Sequence, residues 1–140
     1  MKRGIDMKKV FNASSFNIAW LVCVIFGNLA AVMACVVVLF LHFFLVSRNP
    51  SEASLLIKVF IFGWLIDTTL FSGRILASDG GGIFPPLWLS CLWLLFATTL
   101  NHCFVWFQQN KIAAIIVGAI AGPSSYFAGC QLSPIAIGEP

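Results

Sequence analysis

Asp67 is a carboxylate set inside an apolar run from about Leu55 to Ser72, where such a group can hold a proton, bind a substrate or tie helices together. An ionisable residue in a lipid-embedded helix costs about 2.5–3.5 kcal/mol on insertion scales, so its presence calls for a partner or a task. With the run centred near Trp64, Asp67 stands about 4.5 Å outward of the midplane at 1.5 Å per residue. Arg74 lies on nearly the same helix face about 10 Å further out, placed to snorkel back to Asp67 or to bind a lipid phosphate. Ser90 and Tyr126, each in its own apolar run, fall at a similar depth, which would let the four line one polar pocket. The plainer expectation is that Asp67 ties helices through hydrogen bonds.

A second polar group belongs to the inner half. Asn101 and His102 fall about 7–9 Å inward on their run, and His42 reaches a similar depth on another. Two imidazoles and an amide can line a headgroup site, relay a proton or simply bond helices together. Neither the several histidine-rich clusters of a di-iron desaturase nor the His-Glu-x-x-His of a zinc protease is present. The five cysteines, Cys23, Cys35, Cys91, Cys103 and Cys130, stand singly among apolar residues without zinc-type spacing. They are expected to pack as small hydrophobes. No metal and no other cofactor is expected.

Near the C-terminus, Ala114, Gly118 and Gly122 recur every fourth residue, a small-residue stripe that lets helix backbones approach closely, and Pro123 follows with a kink. Close packing is the first expectation and a gating hinge the sharper one. Trp88 and Trp106 bracket one run as interfacial anchors, whereas Trp64 and Trp93 lie deeper and must pack on neighbours or acyl chains.

The elements that position these residues follow from composition. Hydrophobic residues make up 60% of the 140 and charged residues 9%, whereas a soluble domain carries roughly 25% charged residues. The solvent of this chain is therefore mostly lipid, since only lipid accepts helices that are apolar all round. The fold class is an all-α polytopic transmembrane bundle of about five spans, at about 10–28, 29–46, 55–72, 86–106 and 112–130. A basic cytoplasmic N-terminus (1–9) precedes them and a short tail (131–140) follows. The first apolar stretch, 16–46, is too long for one span of about 20 residues, and Gly27-Asn28 supplies a turn at its middle.

That hairpin also satisfies the positive-inside rule. It places Lys2, Arg3, Lys8, Lys9, Arg48, Lys58 and Lys111 inside and Arg74 alone outside, whereas one long helix gives five against three. Basic residues concentrated at the N-terminus act as a topology signal and leave no basic surface for nucleic acid. Val32-Met33-Ala34-Cys35 faintly matches a lipoprotein cleavage site, but the apolar run continues through Leu41, which disfavours processing.

Several ordered motifs carry a resemblance. They are Gly63-x-x-x-Asp67, Phe84-Pro85-Pro86-Leu87-Trp88-Leu89, Leu92-Trp93-x-x-Phe96-Ala97-Thr98-Thr99-Leu100-Asn101 and Gly118-x-x-x-Gly122-Pro123-x-x-Tyr126-x-x-Gly129. From about Phe16 to its end the chain resembles a family of small bacterial inner-membrane proteins classed as a domain of unknown function. The resemblance implies a genetic setting among methyltransferases like cyclopropane-fatty-acid synthases, and so a role in membrane-lipid modification or envelope stress. It also implies a further hydrophobic helix beyond Gly138-Glu139-Pro140, which would make this chain a truncated form.

Three functions are compatible with these residues. One is an accessory or enzymatic part in lipid or fatty-acid modification, another a small proton-coupled transporter titrating at Asp67, and the third a structural membrane subunit. Internal repeats typical of transporters are absent from the sequence. Membrane lipids are the expected partners, with a homo-oligomer or a membrane-protein partner fitting all three functions.

Overall fold

Lipid offers the backbone no hydrogen-bond partner, so each apolar run must satisfy its own amides as a helix. The computed structural model describes residues 6–78 and 81–138. Its elements are α1 (Met7–Leu41), a π-helical turn (His42–Val46), α2 (Pro50–Ser72), β1 (Leu76–Ser78), α3 (Leu87–Leu100), α4 (Val105–Gln109), α5 (Lys111–Leu132) and β2 (Ile135–Ile137). Lys2 and Arg3, two of the basic residues that set the expected topology, lie outside the described residues, as do Asp79, Gly80, Glu139 and Pro140. The fold is an all-α bundle, and among the described residues three segments are long and apolar enough to cross a membrane: Met7–Val46, Pro50–Ser72 and Lys111–Leu132.

The first of these segments reverses on itself. Asn12 and His42 are 30 residues apart, yet their side chains approach to 3.5 Å, where a straight helix would hold them about 45 Å apart. The reversal falls at Gly27, whose backbone angles of φ 74° and ψ −157° interrupt the helix in a region essentially reserved for glycine. Asn28, directly after the turn, accepts a hydrogen bond from the backbone N–H of Trp88 at 3.0 Å. It thereby caps the N-terminus of α3, whose own N-cap, Pro86, offers no side-chain bond.

The core forms around α3. Both α1 and α2 pack on it, and Leu95, Cys91, Leu89 and Trp88 join Cys23, Val24, Ala31 and Cys35 of the two α1 arms in one buried cluster. At 14 residues, α3 is about 21 Å long, short of a hydrocarbon core of about 30 Å. It ends at Leu100 where a span to 106 was expected, and α4 follows as a separate short helix. Trp88, expected as an interfacial anchor, is instead buried beneath the hairpin turn, while Trp106 is exposed at the other end.

α2 begins at Pro50, five residues earlier than the apolar pattern places it. Asn49 accepts a hydrogen bond from Ser51 N–H at 3.0 Å as N-cap, Pro50 occupies the first helical position, and Glu52 falls in the first turn. α2 stops in a Schellman motif: Ile75 N–H bonds to Leu70 O and Arg74 N–H to Phe71 O, with Arg74 in the left-handed region at φ 57°. The chain then enters β1, which pairs antiparallel with β2 in the register Leu76 with Ile137 and Ser78 with Ile135. This ribbon replaces the loop and plain tail expected there. It closes on Gly138, whose N–H bonds to Ile75 O and whose α-carbon lies so near the Arg74 carbonyl that a side chain would meet it at 1.8 Å.

Candidate functional site

Asp67 is fully buried, at 0% exposure. One carboxylate oxygen accepts a hydrogen bond from Trp93 Nε1–H at 2.8 Å and the other from the Tyr126 hydroxyl. Three helices, α2, α3 and α5, therefore meet at this carboxylate. Gly63, one turn earlier on the same face of α2, makes the arrangement fit: a β-carbon there would lie 1.9 Å from the Trp93 ring. The Gly63-x-x-x-Asp67 motif is thus a seat for an indole, with a glycine clearing space for the ring and an acceptor one turn on receiving its N–H.

Of the four residues proposed to line one pocket, the structure brings together Asp67 and Tyr126 and substitutes Trp93 for the other two. Arg74 is exposed and serves in the Schellman turn. Ser90 is buried in α3, but the Asp67 oxygens are already committed to Trp93 and Tyr126.

The inner cluster has a different membership from the one expected. His42 Nε2–H donates to Glu52 Oε2 at 2.6 Å, and His102 Nε2 lies 3.0 Å from Oε1 and 3.3 Å from Oε2 of the same carboxylate. The two imidazoles meet edge to face with centroids 5.1 Å apart. The amide partner is Asn12 rather than Asn101. Asn12 Nδ2 donates to Thr98 O at 3.1 Å and faces His42 Nδ1 at 3.5 Å, while its Oδ1 accepts from Cys103 Sγ at 3.0 Å. Asn101 is exposed and accepts from Gln108 Nε2.

Glu52 precedes the apolar run of α2 in a polar loop, and Asn12 stands at the polar edge of the first expected span, so neither is conspicuous as an intramembrane polar residue. A local signal existed for Glu52. Asn49-Pro50-Ser51-Glu52 is an N-cap, a proline at the first helical position and an acidic residue two positions on, which announces a helix start. The backbone contributes as well, since His42 opens a π-helical turn, a feature that helices often adopt where a side chain must be re-aimed.

The small-residue stripe does not make the close contact expected of it. At Gly118, Gly122 and Gly129 an added β-carbon would meet nothing within 4 Å, and Ala114 lies on the same sparsely packed helix. These glycines line a cavity of about 280 Å³ whose opposite wall is Phe16, Trp20, Trp88, Trp93 and Phe96. α5 stands off from α1 and α3 along this face, so the stripe borders a space where close packing was expected. Pro123 sits within α5, which continues unbroken to Leu132.

Both α5 and the α3 part of the ring wall carry the sequence motifs, and Tyr126 of α5 and Trp93 of the wall both bond to Asp67. No curated protein and no solved structure matches the chain. A family described as "Protein of unknown function (DUF2878)" matches residues 9–140, in agreement with the resemblance to a domain of unknown function, and over that length the chain belongs to the DUF2878 family.

Proposed function

We propose that the protein is an inner-membrane component, accessory to membrane-lipid or fatty-acid modification, that receives an acyl chain between α5 and the α1–α3 wall. The cavity there carries this reading. At about 280 Å³ it falls near the lower end of ligand-site volumes, about 300–1,000 Å³, and it has the expected make-up of an apolar lining with few polar groups. Its surroundings favour a lipid occupant, because α5 presents Ile112, Ile115, Ile116, Ile120 and Phe127 outward and an acyl chain can enter laterally from the bilayer. Tyr126 and Ser125 supply the polar points of the wall, the first held by Asp67. The N-terminus is assigned to the cytoplasm on charge: Lys8, Lys9, Arg48 and Lys111 flank the end of the bundle that carries Glu52, whereas Arg74 lies at the other end.

The test has two parts. Protein extracted in mild detergent is expected to retain membrane lipid detectable by mass spectrometry, and Gly122→Leu, which fills the cavity, is expected to release most of it. Deletion of the gene is expected to alter the fatty-acid profile of whole-cell lipid under oxidative or acid stress. An unchanged profile together with equal lipid retention by both proteins would remove the basis for the proposal.

A further inference from the structure

We propose that His42, Glu52 and His102 form a binding site for one divalent first-row transition-metal ion, with Zn²⁺ or Fe²⁺ the ions its chemistry suits. The ligand atoms of these residues lie within 4.8 Å of one another. Two imidazole nitrogens and a carboxylate make a donor set that suits such ions, whereas sites for Mg²⁺ or Ca²⁺ are built from oxygen. The three donors come from three separate elements: the π-helical turn, the first turn of α2, and the bend between α3 and α4. Both histidines present the same nitrogen, Nε2, to one carboxylate. Metal–ligand bonds of about 2.0–2.2 Å require donors a little more than 3 Å apart. The 3.0 and 3.3 Å separations at His102 already meet that spacing, and the 2.6 Å separation at His42 must widen by roughly 0.7 Å to match it.

Burial distinguishes this cluster from a surface trio. The side chains of His42 and Glu52 are 1% and 8% exposed, and His102, at 19%, forms the side facing outward. Two ligands are therefore held rigidly, and the third borders the route by which an ion enters. Three protein ligands leave at least one coordination position open for water or a substrate group, the pattern of reactive rather than purely structural sites.

Asn12 makes the inference more specific. With Nε2 bound to metal, the neutral His42 ring carries its proton on Nδ1, and metal-bound histidines usually donate that proton to an acceptor. Here the nearest side-chain group is the Asn12 amide, which turns its nitrogen toward Nδ1 at 3.5 Å. Metal loading therefore requires Asn12 to turn its oxygen toward the ring, giving up both its bond to Thr98 O and the one it accepts from Cys103 Sγ.

The experiment uses the full chain, purified in detergent without a histidine tag, stripped with chelator and titrated with Co²⁺. The expected result is about one Co²⁺ per chain, with visible ligand-field bands that Zn²⁺ abolishes by competition. Glu52→Gln and His102→Gln are each expected to lose the bands while keeping the helical circular dichroism of the parent. His102→Gln is included because its partial exposure makes it the substitution best tolerated by the fold. Asn12→Asp, which offers His42 a carboxylate acceptor, is expected to tighten binding. Absence of bands in the parent, or bands of equal strength in folded His102→Gln, would leave a hydrogen-bonded cluster only and overturn the assignment.

Discussion

α2 carries a buried carboxylate near each end, and the two are held in different ways. Asp67 is sealed by two neutral donors, an indole and a phenol, each from a different helix. Glu52, about 22 Å away along the helix axis, is held by two imidazoles, one of them partly exposed. Indole and phenol donors change neither charge nor coordination near neutral pH, so the Asp67 node acts as a fastener between α2, α3 and α5. Imidazoles can bind protons or metal in that range, so the Glu52 cluster has chemistry available that the Asp67 node lacks. Depth by itself therefore does not mark the reactive carboxylate; the identity of its partners does.

The largest effect that would break this contrast is expected at Gly63. Gly63→Leu drives a side chain into the Trp93 ring and strips Asp67 of its indole donor, combining overpacking with a lost bond to a buried carboxylate. The expected loss is about 3–5 kcal/mol, measured as unfolding in mixed detergent micelles. Parent-like stability would show that the ring moves freely and that Asp67 is no fastener.

Glu52→Gln is expected to cost less, about 1–3 kcal/mol, because the amide keeps one acceptor oxygen and turns an N–H₂ toward the second imidazole. The same unfolding measurement reads it, and His102→Gln should relieve part of the loss because it removes one of the opposed donors. Additive losses would show that the two side chains do not interact.

Tyr126→Phe follows, with an expected loss of about 0.6 kcal/mol and at most about 1.7, the average and the maximum found for interhelical hydrogen bonds in membranes. Since α5 packs sparsely against the rest of the bundle, this substitution should also raise the accessibility of Cys130 to a membrane-permeant thiol reagent. An unaltered labelling rate would show that the phenol does not hold α5 in place.

The smallest effect is expected at Gly118→Ala. With nothing within 4 Å of the added β-carbon, the methyl enters the cavity and the higher helix propensity of alanine stabilises α5 by up to about 1 kcal/mol. A destabilised variant would instead point to a close helix contact at this face.

Much of the candidate site was only partly legible in the sequence. Asp67, Tyr126, His42 and His102 stood out because polar side chains in apolar runs are costly and therefore informative. Trp93 did not stand out as a partner, since tryptophan is at home in a membrane and its pairing depends on the glycine of another helix. Arg74 attracted attention for its charge, yet its place in the fold is a backbone one, at the left-handed position of a Schellman turn. Ala114, Gly118 and Gly122 showed the correct spacing for close packing, but spacing cannot reveal that no helix comes close to this face in the folded chain.

The amino-acid sequence by itself determined that this chain lives in lipid and folds as helices, because 60% hydrophobic and 9% charged residues call for lipid, and continuous apolar runs of span length satisfy their backbone there as helices. It also determined where the backbone can depart from a helix, at Gly27, since glycine alone adopts that conformation freely. Tertiary structure decided which polar residues meet. Glu52 reaches His102 across 50 residues and Asn12 reaches Cys103 across 91, and such pairings follow from helices crossing at particular depths, which no local pattern of residues encodes.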